Sequence, residues 1–161
     1  MKTTPHKLKS RQGYTLVEVM IVTGMILLLA SLAIPAFMRS RSYAQATKVA
    51  SDFKMFSGLY AQYALETGSW PPDAAPGVIP TGMEDHLSDV TPDWDVATAI
   101  GGNWDWVRGS SGSGRDSGVS ISGSAIIDAD AEKIDELLDD GDLTSGIFQK
   151  AGGGLVYYMD L

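Results

Sequence analysis

From Val19 to Phe37 the sequence reads VMIVTGMILLLASLAIPAF, nineteen residues without a formal charge. About 20 apolar helical residues cross a bilayer core, so the run is long enough to span one. The same run in a soluble core would be a helix apolar on every side. Covering such a helix takes far more protein than the rest of a 161-residue chain supplies. Residues 14–38 are therefore read as a transmembrane helix.

What precedes the run sets its direction. Lys2, Lys7, Lys9 and Arg11 stand before Gly13 with no acid among them. Such a cationic flank predicts a cytoplasmic N-terminus, and Arg39 and Arg41 on the far side are too few to reverse it. No small-residue cleavage site closes the apolar run, as a secretory signal peptide would require. The break in composition falls instead at Gly13, where charge gives way to GYTLVE.

Glu18 is the only formal charge between Gly13 and Arg39. An acid at mid-span costs about 2.5–3.5 kcal/mol on insertion scales, less toward an end, and such a residue usually has a function and a partner. A side chain snorkelling to the interface is the plain alternative. No Lys or Arg in the span can pair with it. A cut after Gly13 would create an α-amine on Tyr14, one helical turn away and present again on any neighbouring copy. On that reading Glu18 is a self-assembly contact.

QGYTLVEVMIV followed by AIPAF resembles the N-terminal signature of type IV pilins and of the pseudopilins of type II secretion, over about the first forty residues. Gly13, Tyr14, Glu18 and Pro35 match that signature in register, with tyrosine where phenylalanine is most common. The resemblance implies a basic leader, residues 1–13, removed by a prepilin peptidase after Gly13 on the cytoplasmic face, with N-methylation of Tyr14. It implies a precursor in the bacterial inner membrane whose C-terminal domain is periplasmic. An assembly platform would then pass the subunit, with identical or related subunits, into a filament cored by the span. Pro35, which leaves the Ser31 carbonyl without its helical donor, would loosen that helix during assembly; a tolerated membrane-helix kink explains it equally well.

Residues 39–67 continue the helix. Ala46, Val49, Phe53, Phe56, Tyr60 and Tyr63 recur at alternating spacings of three and four, one face of an amphipathic helix suited to a sheet. A helix from Tyr14 to Thr67 would be about 80 Å long at 1.5 Å per residue. Gly68 ends it and Trp70-Pro71-Pro72 prevents a restart.

Residues 68–161 read as a loop-rich domain with an antiparallel sheet. A short helical turn is expected around Met83 to Leu87. NWDWV and GVSISG read as a hairpin across GSSGSGRDSG, and DADAEKIDELLDDG as a short helix. GIFQK and GLVYYMDL read as a second hairpin through Ala151–Gly153. The fold class is α+β, a long N-terminal helix on a small antiparallel sheet. Trp104 and Trp106 share a strand face expected to be buried, while Asn103 and Asp105 supply the polar one.

Chemistry is sparse. His86 is the only histidine after Gly13 and reads as a solvated loop residue. No G-x-S-x-G, H-E-x-x-H or phosphate-binding loop occurs, so no enzyme is indicated. From Glu66 onward eighteen Asp or Glu face four Lys or Arg, a net −14 that repels nucleic acid. Asp128, Asp130, Glu132, Asp139, Asp140 and Asp142 offer the hard oxygen ligands that calcium uses, and some major pseudopilins carry a C-terminal calcium site. The spacing is not that of an EF-hand, and Asp128 and Asp130 could equally cap the short helix.

The chain has no cysteine, and so lacks the C-terminal disulfide loop common in type IV pilins. GSWPP also leans toward the pseudopilins. The leading expectation is a structural subunit of a type II secretion-like pseudopilus or type IV pilus-like filament. A minor pilin for adhesion or DNA uptake and a non-polymerising, membrane-anchored periplasmic binding module remain open beside it.

Overall fold

The computed structural model describes residues 13–109, 117–123 and 126–159. The basic leader up to residue 12 and most of the Gly/Ser linker lie outside the described residues. The elements run α1 (Leu16–Thr67), α2 (Glu84–Leu87), β1 (Asn103–Arg108), β2 (Ser117–Ser122), α3 (Asp128–Leu138), β3 (Phe148–Ala151) and β4 (Gly154–Tyr158). The layout is α+β, a long N-terminal helix packed against a small antiparallel sheet of four strands, as the sequence predicts.

Helix α1 persists across Pro35 as one element of 52 residues. It ends where Gly68 takes φ +76 and its N–H reaches the Ala64 carbonyl at 2.8 Å, a left-handed cap that a Cβ would disfavour. The chain nevertheless divides into two compact units, residues 1–39 and 40–161. In the first, the apolar side chains stand open: Leu16, Met20, Leu27, Leu29, Leu32 and Phe37 are all more than 60% exposed among the described residues. Among the described residues α1 is the one helix long and apolar enough to cross a membrane.

The second unit has its own core. The sheet order is β1-β2-β4-β3, every neighbour antiparallel. Trp104 lies opposite Ile121, which lies opposite Leu155; Trp106 lies opposite Val119, which lies opposite Tyr157 and then Phe148. That face receives the α1 stripe. Ala46, Val49, Phe53, Phe56 and Tyr60 are fully buried, and Tyr63 packs at the margin. The Phe53 ring meets Trp104 edge-on at 5.0 Å and Phe148 at 5.2 Å, while Tyr60 stacks on Trp106 at 4.2 Å. The two tryptophans are thus core.

The other face of β1 is less open than its alternation suggests. Asp105 is only 8% exposed, facing Ser120 across the ladder and accepting a 2.7 Å hydrogen bond from Ser122 Oγ. Small serines on β2 leave no bulk to hold the carboxylate out in water. Burial, reinforced by Asp73, pushes its carboxyl above the usual range despite the serine contacts.

Candidate functional site

The residues singled out at the N-terminus form a local structure that the spacing T-L-V-E encodes. Thr15 precedes the first helical residue, and Glu18 is the third residue of α1. Glu18 Oε2 accepts from the Thr15 backbone N–H at 2.8 Å and from the Thr15 hydroxyl at 2.9 Å. The Glu18 N–H donates back to Thr15 Oγ1 at 3.2 Å. This is a capping box, in which residues at both ends of the first turn satisfy each other's unpaired groups. It gives Glu18 a structural role apart from any partner. Tyr14 just before it is 88% exposed, and its side chain borders a shallow apolar depression with Glu18, Val19, Val22 and Thr23.

The acidic residues of the C-terminal part separate into pairs and one cluster. Asp128 pairs with Lys150. Asp130 accepts from Ser42 Oγ at 2.6 Å and Lys133 Nζ at 3.1 Å, contacts that hold its carboxyl low. Asp142 turns inward to its own loop, accepting from the Thr144 N–H and hydroxyl, and Glu132 lines an open depression beside it. Of the calcium candidates only Asp139 and Asp140 converge, and they do so on Asp135, with one carboxylate oxygen of each lying within 4.8 Å of the others.

Asp135 was not among the sequence candidates, yet it is the unusual member. It is fully buried on α3, and neither carboxylate oxygen accepts a well-formed hydrogen bond. Burial, then the neighbouring charges of Asp140, Asp139 and Asp142, push it up to about 6, with the Gly141 amide acting weakly the other way. Asp139 is fixed by the backbone, its Oδ2 accepting from the Ile147 and Phe148 N–H groups. Gly146, at φ +74, makes that approach possible, because a Cβ there would lie 1.7 Å from Asp139 Oδ2. Asp140 accepts from the Asp142 N–H and Ser145 Oγ. A buried carboxylate without a well-formed hydrogen bond, facing two more carboxylates, is a donor set that fits a hard divalent cation.

His86 is not solvated. It packs on α1 with its ring 5.8 Å from Tyr63 and its Nε2 3.2 Å from Glu66 Oε2, and its side chain is 17% exposed. These contacts tie the short α2 turn to the last turns of α1.

The chain is 31% identical over 97 residues to fimbrial protein EcpC of Eikenella corrodens, covering 58% of each. It is 33% identical over 64 residues to type II secretion system core protein G of Klebsiella pneumoniae, 40% of this chain and 46% of that protein. The same protein of Klebsiella michiganensis is 33% identical over 63 residues, 39% and 44% of the two chains. The chain spans about half the length of the curated relatives it matches. No family model and no solved structure matches it.

Proposed function

We propose that this chain is a pilin-type structural subunit, made as a prepilin, cut after Gly13 and N-methylated on Tyr14, and incorporated in a type II secretion-like pseudopilus or a type IV pilus-like filament. The observation that carries this reading is the register of Gly13, Tyr14, Glu18 and Pro35 on an apolar helix whose continuation packs on a four-stranded sheet. Similarity to a fimbrial protein and to secretion protein G supports it. Its partners are then a prepilin peptidase, an inner-membrane assembly platform and identical or related subunits. Before assembly it sits in the inner membrane as a single-pass protein, N-terminus cytoplasmic and C-terminal domain periplasmic. Intact mass of the protein extracted from its native membrane tests this. A species starting at Tyr14 with one added methyl is expected; an uncut chain from cells with active prepilin peptidase overturns it.

A membrane-anchored periplasmic binding module that never polymerises has one observation in its favour. The capping box gives Glu18 a use that needs no neighbouring subunit. Such a module would be indifferent to loss of the carboxylate charge.

The Asp135, Asp139 and Asp140 carboxylates we assign to a divalent cation, calcium by the hardness of the donors. Bound there, the ion would neutralise a buried charge and tie the end of α3 to the loop before β3.

A further inference from the structure

Beyond residue 39, α1 buries one side against the sheet and leaves the other open. Arg41, Ala44, Lys48, Ser51, Gly58 and Gln62 are exposed there, at spacings of three, four and seven residues that keep them on one stripe. The stripe is cationic. Between residues 40 and 65 the chain has Arg41, Lys48 and Lys54 against Asp52 alone. Asp52 is half-buried one turn beyond Lys48, and Lys54 turns toward the Leu137 carbonyl of α3. Among the described residues neither Arg41 nor Lys48 enters an ion pair.

The loop after α1 has the opposite character. Residues 84–95 read EDHLSDVTPDWD, five carboxylates with no lysine or arginine. All five are exposed, and none enters an ion pair among the described residues. Here an open depression joins apolar Val78, Ile79, Leu87 and Trp94 to the carboxylates of Asp93 and Asp95. Such walls suit a lysine, whose methylene stem takes the apolar contact while its ammonium meets the acids. The depression sits toward the end of α1. The Trp94 ring meets Phe56 at 4.9 Å and Tyr60 at 5.4 Å, and His86, next to Leu87, contacts Glu66. Phe56 and Glu66 lie 8 and 18 residues beyond Lys48, about 12 and 27 Å of helix rise. The cation and its complement thus stand at different levels of one chain, and no ion pair joins them. A second copy displaced along the helix can bring them together.

We propose that Lys48 of one copy seats in the Leu87–Trp94 depression of a neighbouring copy, with Asp93 and Asp95 about its ammonium. This rests on the filament reading of the chain and names one contact that the filament would use. The two surfaces differ, so the contact is heterologous. Each copy keeps one of the two surfaces to offer, and the contact repeats along a row instead of closing on a pair. Its charges are exposed, so added salt weakens it.

Filament yield from the full chain, in cells carrying the assembly machinery, tests the contact by charge reversal. Lys48→Glu should lower the yield roughly tenfold, because it turns an attraction into a like-charge juxtaposition. Asp93→Lys with Asp95→Lys in the same chain should restore most of that loss. A second measurement locates the contact between copies. The chain has no cysteine, so Ala44→Cys with Ser88→Cys keeps every charge and supplies the only thiols. Ala44 stands 22 residues before Glu66, about 33 Å of rise, while Ser88 is two residues from His86, which contacts Glu66. That separation is beyond disulfide reach within one chain. Oxidised filaments should therefore run as a ladder of dimers and higher multimers. Wild-type yield from Lys48→Glu, a loss that the aspartate reversal does not restore, or filaments that stay monomeric on oxidation overturns the contact and leaves the filament reading standing. A wild-type chain that gives no filament overturns both.

Discussion

Replacing Glu18 by glutamine separates two roles that alanine would confound. The capping box uses Glu18 as an acceptor for the Thr15 N–H at 2.8 Å and the Thr15 hydroxyl at 2.9 Å. A glutamine amide oxygen accepts both, and either residue serves at this position of the box. Glu18→Gln should therefore leave the first turn of α1 intact, whereas Glu18→Ala loses about 0.5–2 kcal/mol of cap. What glutamine removes is the formal charge. If that charge pairs with the Tyr14 amine of a neighbouring subunit, its loss weakens each subunit addition by about 1.5–3 kcal/mol, the range for a hydrogen bond to a charged group. That corresponds to roughly a ten- to hundredfold lower association constant per subunit. The assay is the ratio of sheared filament to cell-associated subunit by immunoblot, in cells carrying the assembly machinery. The mass of the pool should be checked for cleavage and methylation, so that a processing defect is not mistaken for an assembly defect. Correctly processed Glu18→Gln protein should give far less filament than wild type. Wild-type yield from Glu18→Gln alongside a defect in Glu18→Ala would refute the charge argument and leave the cap as the residue's whole role.

Calcium should raise the melting temperature of the full chain in detergent, and chelation should reverse the gain. Asp135→Asn should abolish that response, and an unchanged calcium shift in this variant would remove the cluster from the site. Phe53→Ala opens a cavity between Trp104 and Phe148 and should cost about 3–5 kcal/mol, read from denaturant midpoints. Asp105 supplies the pH dependence. Burial raises its carboxyl in the folded state above the ordinary aspartate value of 3.8, so the folded protein binds more protons than the unfolded chain between that value and the raised one. Stability therefore falls as pH rises through that window, and the penalty is complete above it. Asp105→Asn should be more stable than wild type at pH 7, and the difference should shrink toward pH 4; a gap that grows on acidification would show the sign to be wrong.

The elements were legible where a single period dominates. Alternating three- and four-residue spacing from Ala46 to Tyr63 marked the buried face of α1, and the alternation in NWDWV and GVSISG placed β1 and β2 within a residue or two. Asp105 departed from its pattern because alternation says which side a residue faces, not what covers that side. The acidic cluster was half legible. Asp139 and Asp140 stand out as a run, but Asp135 lies in a helix rich in acids and becomes exceptional only when the loop after α3 folds back. That fold depends on Gly146 admitting the Asp139 carboxylate to the backbone. The capping box is fully present in Thr15-x-x-Glu18, but an acid opening an apolar run points equally to a partner outside the turn, and only the side-chain geometry shows the box formed.

The cap and the proposed intersubunit pair do not exclude each other, because they concern different properties of one carboxylate. Hydrogen bonds from Thr15 satisfy its oxygen, yet they come from neutral groups and leave the full negative charge in place. In water that residual charge would need nothing more. Here it begins a helix whose apolar side chains are exposed throughout the first unit, an area too large to remain bare in aqueous solution. The helix must be covered by lipid or by other chains, and either covering lowers the local dielectric around Glu18. As it falls, an unmatched charge becomes more costly while attraction to a nearby cation grows. The capping box thus fixes where the charge sits, and on the proposed reading the covering of the helix would favour a counter-charge beside it. The first cation available by position in a processed chain is the amine of Tyr14, its own or that of the next copy. Which of the two it meets is what the glutamine substitution reads, since only the pair between copies links the charge to filament yield.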